Sequence, residues 1–217
     1  KIAAIPVFLG TALDIISLRF LTSSKTSFTD SASLYAKAVY SPKLNPAAYS
    51  QSMPWLFKTL AIPKDTATKH GWAFKVIEDV IKDIKNVEIA NYNSPKQIVI
   101  TGSMEGIDEA ILKLKDLGYK SKKLNVSGAF HSSYLNNASE ELFTVLKEVD
   151  FKEPNKKIVF NTVGKTSDED VKILLKNQIK SSVKFMQSVE FMIENGVDTF
   201  IEIGPGKVLS GLVKQIN

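Results

Sequence analysis

Between Leu56 and Val126 the apolar residues switch back and forth between strand and helix spacing, and the order of the switches leaves few folds open. Leu56 to Ile62 alternates loosely and stops at Pro63, which predicts a strand. Thr66 to Lys85 carries Trp72, Phe74, Val76, Ile77, Val80, Ile81 and Ile84 at helical spacing. Val87 to Tyr92 and Gln97 to Thr101 read as two strands joined by the turn Asn93-Ser94-Pro95-Lys96, a hairpin. A helix follows over Met104 to Leu117, with Ile107, Ala110, Ile111 and Leu114 on one face, and Gly118 stops it. Tyr119 to Val126 is a further strand. The resulting order, βαββαβ, is that of a ferredoxin-like split βαβ unit, and it predicts a subdomain over residues 55–125. Such a fold implies no function by itself.

The remainder reads as an α/β body built from residues 1–54 and 126–217. Ser127 to Ser132 is a loop, and Ser133 to Val149 is a helix with Leu135, Ala138, Leu142, Val145, Leu146 and Val149 on its buried stripe. A short strand is expected at Lys157 to Asn161, and helices at Asp168 to Gln178 and Lys184 to Asn195, the latter ended by Gly196. A strand at Val197 to Ile203 turns through Gly204-Pro205-Gly206 into a last helix, Lys207 to Ile216. Strands alternating with helices predict a largely parallel sheet. Ile15 to Leu21 fits helix or strand, and the Ser/Thr-rich stretch from Ser23 to Ser33 reads as loops.

Composition removes several chemistries. The chain has no cysteine, so thiolate nucleophiles, thiolate metal sites and disulfides are excluded. Two histidines, His70 and His131, argue against a multi-histidine metal centre, and no metal is expected. The net charge of +5 is carried by lysine, with Arg19 the single arginine, whereas nucleic-acid readers favour arginine forks. The lysines read as a solvated surface or as a face for an acidic or phosphate-bearing partner. No apolar run reaches the roughly 18 residues of a membrane span. Lys1 to Phe20 is interrupted by Asp14 and Arg19 and does not read as a secretion signal, so a cytoplasmic or organellar setting is expected.

Four places could carry chemistry. His131 follows a strand and a small-residue loop, the position where α/β proteins put catalytic groups, although a packed histidine fits the same pattern. Glu202 to Lys207 joins a strand to a helix through two glycines, which suits either an anion at the helix start or a tight structural turn. It is no P-loop, because Val208 follows Lys207. Asn91-Tyr92-Asn93-Ser94-Pro95 reads as a turn, and Gln178 lies near a helix end where carbonyls are left to accept hydrogen bonds. No Gly-x-Ser-x-Gly elbow is present, and the nucleophile remains unknown.

Taken in order, ANYNSPKQIVITG (90–102), VSGAFHSSYL (126–135), NQIKSSVKFMQSVEFM (177–192) and FIEIGPGKVLSGLVKQI (200–216) resemble blocks of the malonyl-CoA:acyl carrier protein transacylase family. The resemblance covers residues 55–217. It implies an α/β-hydrolase-like body with a partly parallel sheet beside the ferredoxin-like subdomain. It implies transfer of malonyl from a coenzyme A thioester to acyl carrier protein through an acyl-serine, with no cofactor beyond the substrate malonyl-CoA. His131 matches the family's catalytic histidine, and Gln178 the residue whose backbone carbonyl orients it. Arg19, in Ile15-Ile16-Ser17-Leu18-Arg19, matches a helical arginine that grips the malonate carboxylate, although Phe20 stands where the family has glycine. The serine would then precede Lys1, so the chain is expected to be a piece of a longer acyltransferase. The implied protein is a monomer that binds neither nucleic acid nor membrane. A polyketide or multifunctional fatty acid synthase domain and an inactive homologue that only binds coenzyme A or acyl carrier protein are the alternatives. An RNA-binding module lacks the aromatic pair such a sheet needs.

Overall fold

The computed structural model describes residues 2–6, 18–20, 56–61, 72–124, 129–204 and 206–217. In chain order the elements are β1 (Ile2–Pro6), β2 (Leu18–Phe20), β3 (Leu56–Ala61), α1 (Trp72–Lys82), β4 (Val87–Ser94), β5 (Gln97–Gly102), α2 (Met104–Asp116), β6 (Lys120–Leu124), α3 (Asn136–Lys147), β7 (Ile158–Val159), α4 (Val171–Lys180), α5 (Phe185–Glu194), β8 (Thr199–Ile203) and α6 (Val208–Ile216). A 3-10 turn at Ser133–Leu135 leads into α3.

The strands form two sheets. The larger unit's sheet runs β7-β2-β1-β8 and the second β4-β5-β3-β6. In the second, every pairing is antiparallel. Its helices follow from side-chain pattern and caps. Phe74, Ile77 and Ile81 put a buried stripe on α1. The Ser103 hydroxyl accepts from the Gly106 amide at 3.1 Å, satisfying one of the donors left over at the start of α2. Beyond α2, Gly118 adopts φ 84°, a left-handed conformation that costs glycine little. Gly102 is needed for a different reason: a Cβ there would lie 2.1 Å from the Asn86 carbonyl oxygen.

One apolar core joins the two sheets. Ile77 of α1, Ile107 and Leu114 of α2, and Ile98 and Ile100 of β5 are continuous with Phe185, Val189 and Met192 of α5 and with Ala3 and Val159 of the other sheet. A separate cluster binds α3 to α4 through Leu142, Leu146, Leu175 and Ile179.

Three expectations change. The body sheet is mixed: β1 runs parallel to β8, while β1–β2 and β2–β7 are antiparallel. Antiparallel neighbours need no crossover helix between them, and β2 lies directly beside β1 in the opposite sense. Arg19 sits on a strand and not on a helix, in register with Ala4 and Ile158. The helix expected over 168–178 is displaced to Val171–Lys180, because the Asp170 carboxylate accepts from the Lys172 amide at 2.8 Å and caps it.

Candidate active site

His131 lies in the passage from the second sheet to α3, with φ 59°, one of two non-glycine residues with positive φ among the described residues. That region costs an L-residue about 1–2 kcal/mol, so the surroundings must hold it. Two hydrogen bonds do so. The His131 amide donates to the Ile179 carbonyl at 3.0 Å. The ring Nδ1 lies 2.9 Å from the Gln178 carbonyl oxygen. A carbonyl can only accept, so Nδ1 carries the proton and Nε2 is the basic nitrogen of the neutral ring.

Both acceptors come from the last turn of α4. The final four carbonyls of a helix have no donor within the helix. Ser181 turns extended, with φ −111° and ψ 150°, and takes the chain away, its amide bonding to the Asn177 carbonyl at 2.9 Å. The Gln178 and Ile179 carbonyls are therefore available to His131. The geometry is fixed from behind by the α3–α4 interface, where the Ser139 hydroxyl donates to the Lys176 carbonyl at 2.7 Å. His131, Ser132 and Gln178 are all buried, and Ser132 donates through its hydroxyl to the Ala129 carbonyl at 2.6 Å. A buried imidazole with its tautomer set by a carbonyl is suited to taking a proton from an adjacent hydroxyl or thiol and returning it.

The other sequence candidates separate. At the Gly204-Gly206 turn the helix start does face an anion, but the anion is the protein's own. Glu202 accepts from the amides of Leu209 at 3.2 Å and Ser210 at 2.9 Å, and from the Ser210 hydroxyl at 2.5 Å. Burial pushes the Glu202 carboxyl up, but these bonds together outweigh it and hold it below the ordinary carboxylate value. The turn is therefore structural in this respect. Asn91 to Ser94 belong to β4, and only Pro95-Lys96 turn. The Ser94 hydroxyl donates to Gln215 Oε1 at 2.8 Å and ties the hairpin to α6. Lys120, Lys122 and Lys123 are exposed on β6, an edge strand, where lysine also discourages edge pairing.

Arg19 is described only as backbone in β2; its side chain, like Val126 to Gly128 ahead of His131, lies outside the described residues. Among the described residues, no group of three or more His, Cys, Asp or Glu could hold a metal, and no helix is long and apolar enough to cross a membrane. Sequence reasoning missed Glu88. Its carboxylate accepts from the Ser133 amide at 3.0 Å across 45 residues of chain, and no local pattern marks such a pairing.

Comparison with known proteins points one way. The model of the acyl transferase domain family matches residues 47–216. The malonyl CoA-acyl carrier protein transacylase of Staphylococcus aureus strain MSSA476 is 41% identical over 154 residues, 68% of this chain and 50% of that protein. The chain thus spans about half the length of the curated relatives it matches. The crystal structure of the Clostridium perfringens malonyl CoA-acyl carrier protein transacylase superposes with a TM-score of 0.72 at 34% identity, over 88% of this chain and 58% of that one. A malonyl-transacylase solved in complex with a type II polyketide synthase acyl-carrier protein gives 0.67 at 31% identity, over 77% of this chain and 53% of that one.

Proposed function

The chain belongs to the acyl transferase domain family, and on that premise we propose that it carries the proton-transfer half of a malonyl-CoA:acyl carrier protein transacylase of fatty acid synthesis. His131 Nε2 takes the proton of a serine hydroxyl as its oxygen attacks the malonyl thioester carbonyl. The C–S bond breaks, and the imidazolium returns the proton to the departing thiolate of coenzyme A. The phosphopantetheine thiol of acyl carrier protein then gives its proton to Nε2 and attacks the acyl-serine. The serine oxygen leaves and is reprotonated. The Gln178 carbonyl keeps Nδ1 protonated throughout and stabilises the imidazolium with its dipole.

The observation that carries this reading is the 2.9 Å contact between His131 Nδ1 and the Gln178 carbonyl, made by a buried ring. The names of the transacylase relatives support the substrate and the acyl carrier protein partner. Arg19 is our proposal for the malonate-binding group, since a guanidinium fork suits a carboxylate and the chain has no other arginine. We also read residues 55–125 as a ferredoxin-like subdomain, supported by the sheet order β4-β5-β3-β6 with, among the described residues, a helix in each crossover, and residues 1–54 and 126–217 as an α/β-hydrolase-like body.

The test is transfer of radiolabelled malonyl from coenzyme A to holo-acyl carrier protein by the full-length protein. His131→Ala should lower the rate by about 10²–10⁴-fold, the range of a lost general base. A His131→Ala rate within about threefold of wild type is outside that range and rejects the assignment.

A further inference from the structure

We infer that β4, through Glu88, is a positioning element for the His131–Gln178 pair: the edge of the second sheet grips the segments that carry the imidazole and its acceptor. The inference rests on the reading of His131 as the base, and it extends that reading to a residue on the other sheet.

On the C-terminal side of His131, Ser132 precedes the 3-10 turn but makes no side-chain cap, its hydroxyl being spent on the Ala129 carbonyl. The donors at the start of this turn need an acceptor from elsewhere. Glu88 supplies it with both oxygens: Oε2 accepts from the Ser133 amide at 3.0 Å, and Oε1 accepts from the Ser133 hydroxyl. A forked carboxylate on two donors of one residue fixes direction as well as distance. Ser133 is two residues from His131, so the grip acts close to the ring.

The segment beyond Gln178 is held by the same strand. The Ser182 hydroxyl donates to the Ile89 carbonyl at 2.5 Å. The Val183 amide donates to the Ala90 carbonyl, and the Tyr92 amide to the Val183 carbonyl, both at 2.8 Å. Ser182-Val183 is thus laid along β4 as a short parallel bridge. Glu88 to Tyr92 therefore hold the chain just after His131 and just after Gln178. Apolar packing adds to this, since Ala90 and Val99 cluster with Ala129, with Phe130 and Tyr134 against them. Intrinsic preference does not keep His131 at positive φ. Release of either segment lets the ring leave the 2.9 Å contact with Gln178.

The test uses full-length protein with ¹⁵N-labelled histidine, the His131 ring signal being assigned by its loss in His131→Ala. Two readouts are taken: solvent exchange of the His131 Nδ1–H by NMR, and kcat and KM for malonyl transfer. In Glu88→Ala, Nδ1–H exchange should rise at least tenfold, and kcat should fall by about 10- to 100-fold with KM within about twofold, as for a displaced catalytic group. Glu88→Gln, which keeps the shape and one oxygen acceptor, should recover most of both. Ser133→Ala removes one of the two bonds and little packing; it should give an intermediate change even if Glu88→Ala folds poorly. A fall in kcat with Nδ1–H exchange unchanged would assign Glu88 to general folding and overturn the inference, as would wild-type behaviour in both readouts. Faster Nδ1–H exchange in a protein whose activity ignores His131→Ala would uphold the positioning geometry and defeat only the reading of His131 as base.

Discussion

Gly102 and Gly211 invite the same substitution and should answer with opposite signs. At Gly102, the last residue of β5, an added Cβ would sit 2.1 Å from the Asn86 carbonyl oxygen and 2.9 Å from the Val87 Cα. Real Cβ contacts essentially never fall under 3.0 Å, so the first is 0.9 Å too short, and both obstacles are backbone. Val87 is the register partner of Gly102, so relief requires β4 to move off β5 at its start. Glu88 is the next residue, and a shift there reaches Ser133 and His131. Overpacking that moves backbone lies at the upper end of the usual 1–3 kcal/mol, and we take about 3 kcal/mol. For a chain of this size that is a fall in Tm of about 6–12 °C. At Gly211, inside α6, nothing lies within 4 Å of the added Cβ. There Gly→Ala gains only helix propensity, about 0.5–1 kcal/mol, or a rise of about 1–4 °C. Thermal unfolding followed by circular dichroism reads both, and transfer activity well below Tm reads the first again. A Gly102→Ala protein with wild-type Tm and kcat would refute the reasoning, because the hairpin would then have room that its geometry denies.

Three further substitutions probe the helix interface, the Glu202 turn and the imidazole acceptor. Leu142→Ala empties a fully buried position between α3 and α4 and should cost about 3–4 kcal/mol, seen as a fall in the urea midpoint without a change of slope. A midpoint close to wild type would mean that the interface does not hold the two helices. Glu202→Gln should flatten the acid limb of stability. The folded carboxyl is depressed below its ordinary value of 4.5, so its contribution is present above that pH and is lost as pH falls through the folded value. Equal loss of Tm in wild type and variant between neutral pH and about pH 3 would contradict that linkage. Gln178→Ala retains the backbone carbonyl, so the His131 Nδ1–H signal should persist even if stability drops; its disappearance would show that the side chain, not the carbonyl, sets the tautomer.

Much of this was legible in the sequence because the signals are local. The hairpin announced itself through Asn93-Ser94-Pro95 between two β-branched runs, and Gly118 and Gly196 mark helix ends where the structure has positive φ. Gln178 could be placed near a helix end, which is where free carbonyls occur. What was hidden is long-range. The grip of Glu88 on Ser133 joins residues 45 apart, and the bond of Ser182 to Ile89 joins residues 93 apart; neither has a periodicity. The turn at Gly204 was open to an outside anion because nothing local says that Glu202, on the preceding strand, will fold back onto the Ser210 amide. Arg19 was open between helix and strand because Ile15 to Leu21 is an apolar run that suits both, and only pairing with Ala4 and Ile158 decides it.

The choice of a carbonyl behind the histidine has a physical logic that the surroundings make plain. The ring is buried, 6% exposed, against the end of α4. A carboxylate placed behind it would have to be desolvated, at a cost of several kcal/mol when unpaired, and would need donors of its own. A helix terminus offers an acceptor already desolvated and in want of a donor. It also brings the C-terminal end of the α4 dipole, which would favour the imidazolium that the proposed mechanism forms. A carboxylate nearby, Glu88, is used one step away, on the neutral donors of Ser133, where it can fix the segment without lying behind the ring. The division puts charge on the scaffold and a dipole on the imidazole. It predicts that Gln178 can vary in side chain while the register of α4 cannot: a one-residue deletion within Val171–Lys180 should abolish transfer, whereas Gln178→Ala should leave kcat within about tenfold of wild type. An active deletion variant would show that the carbonyl array is not what holds the base.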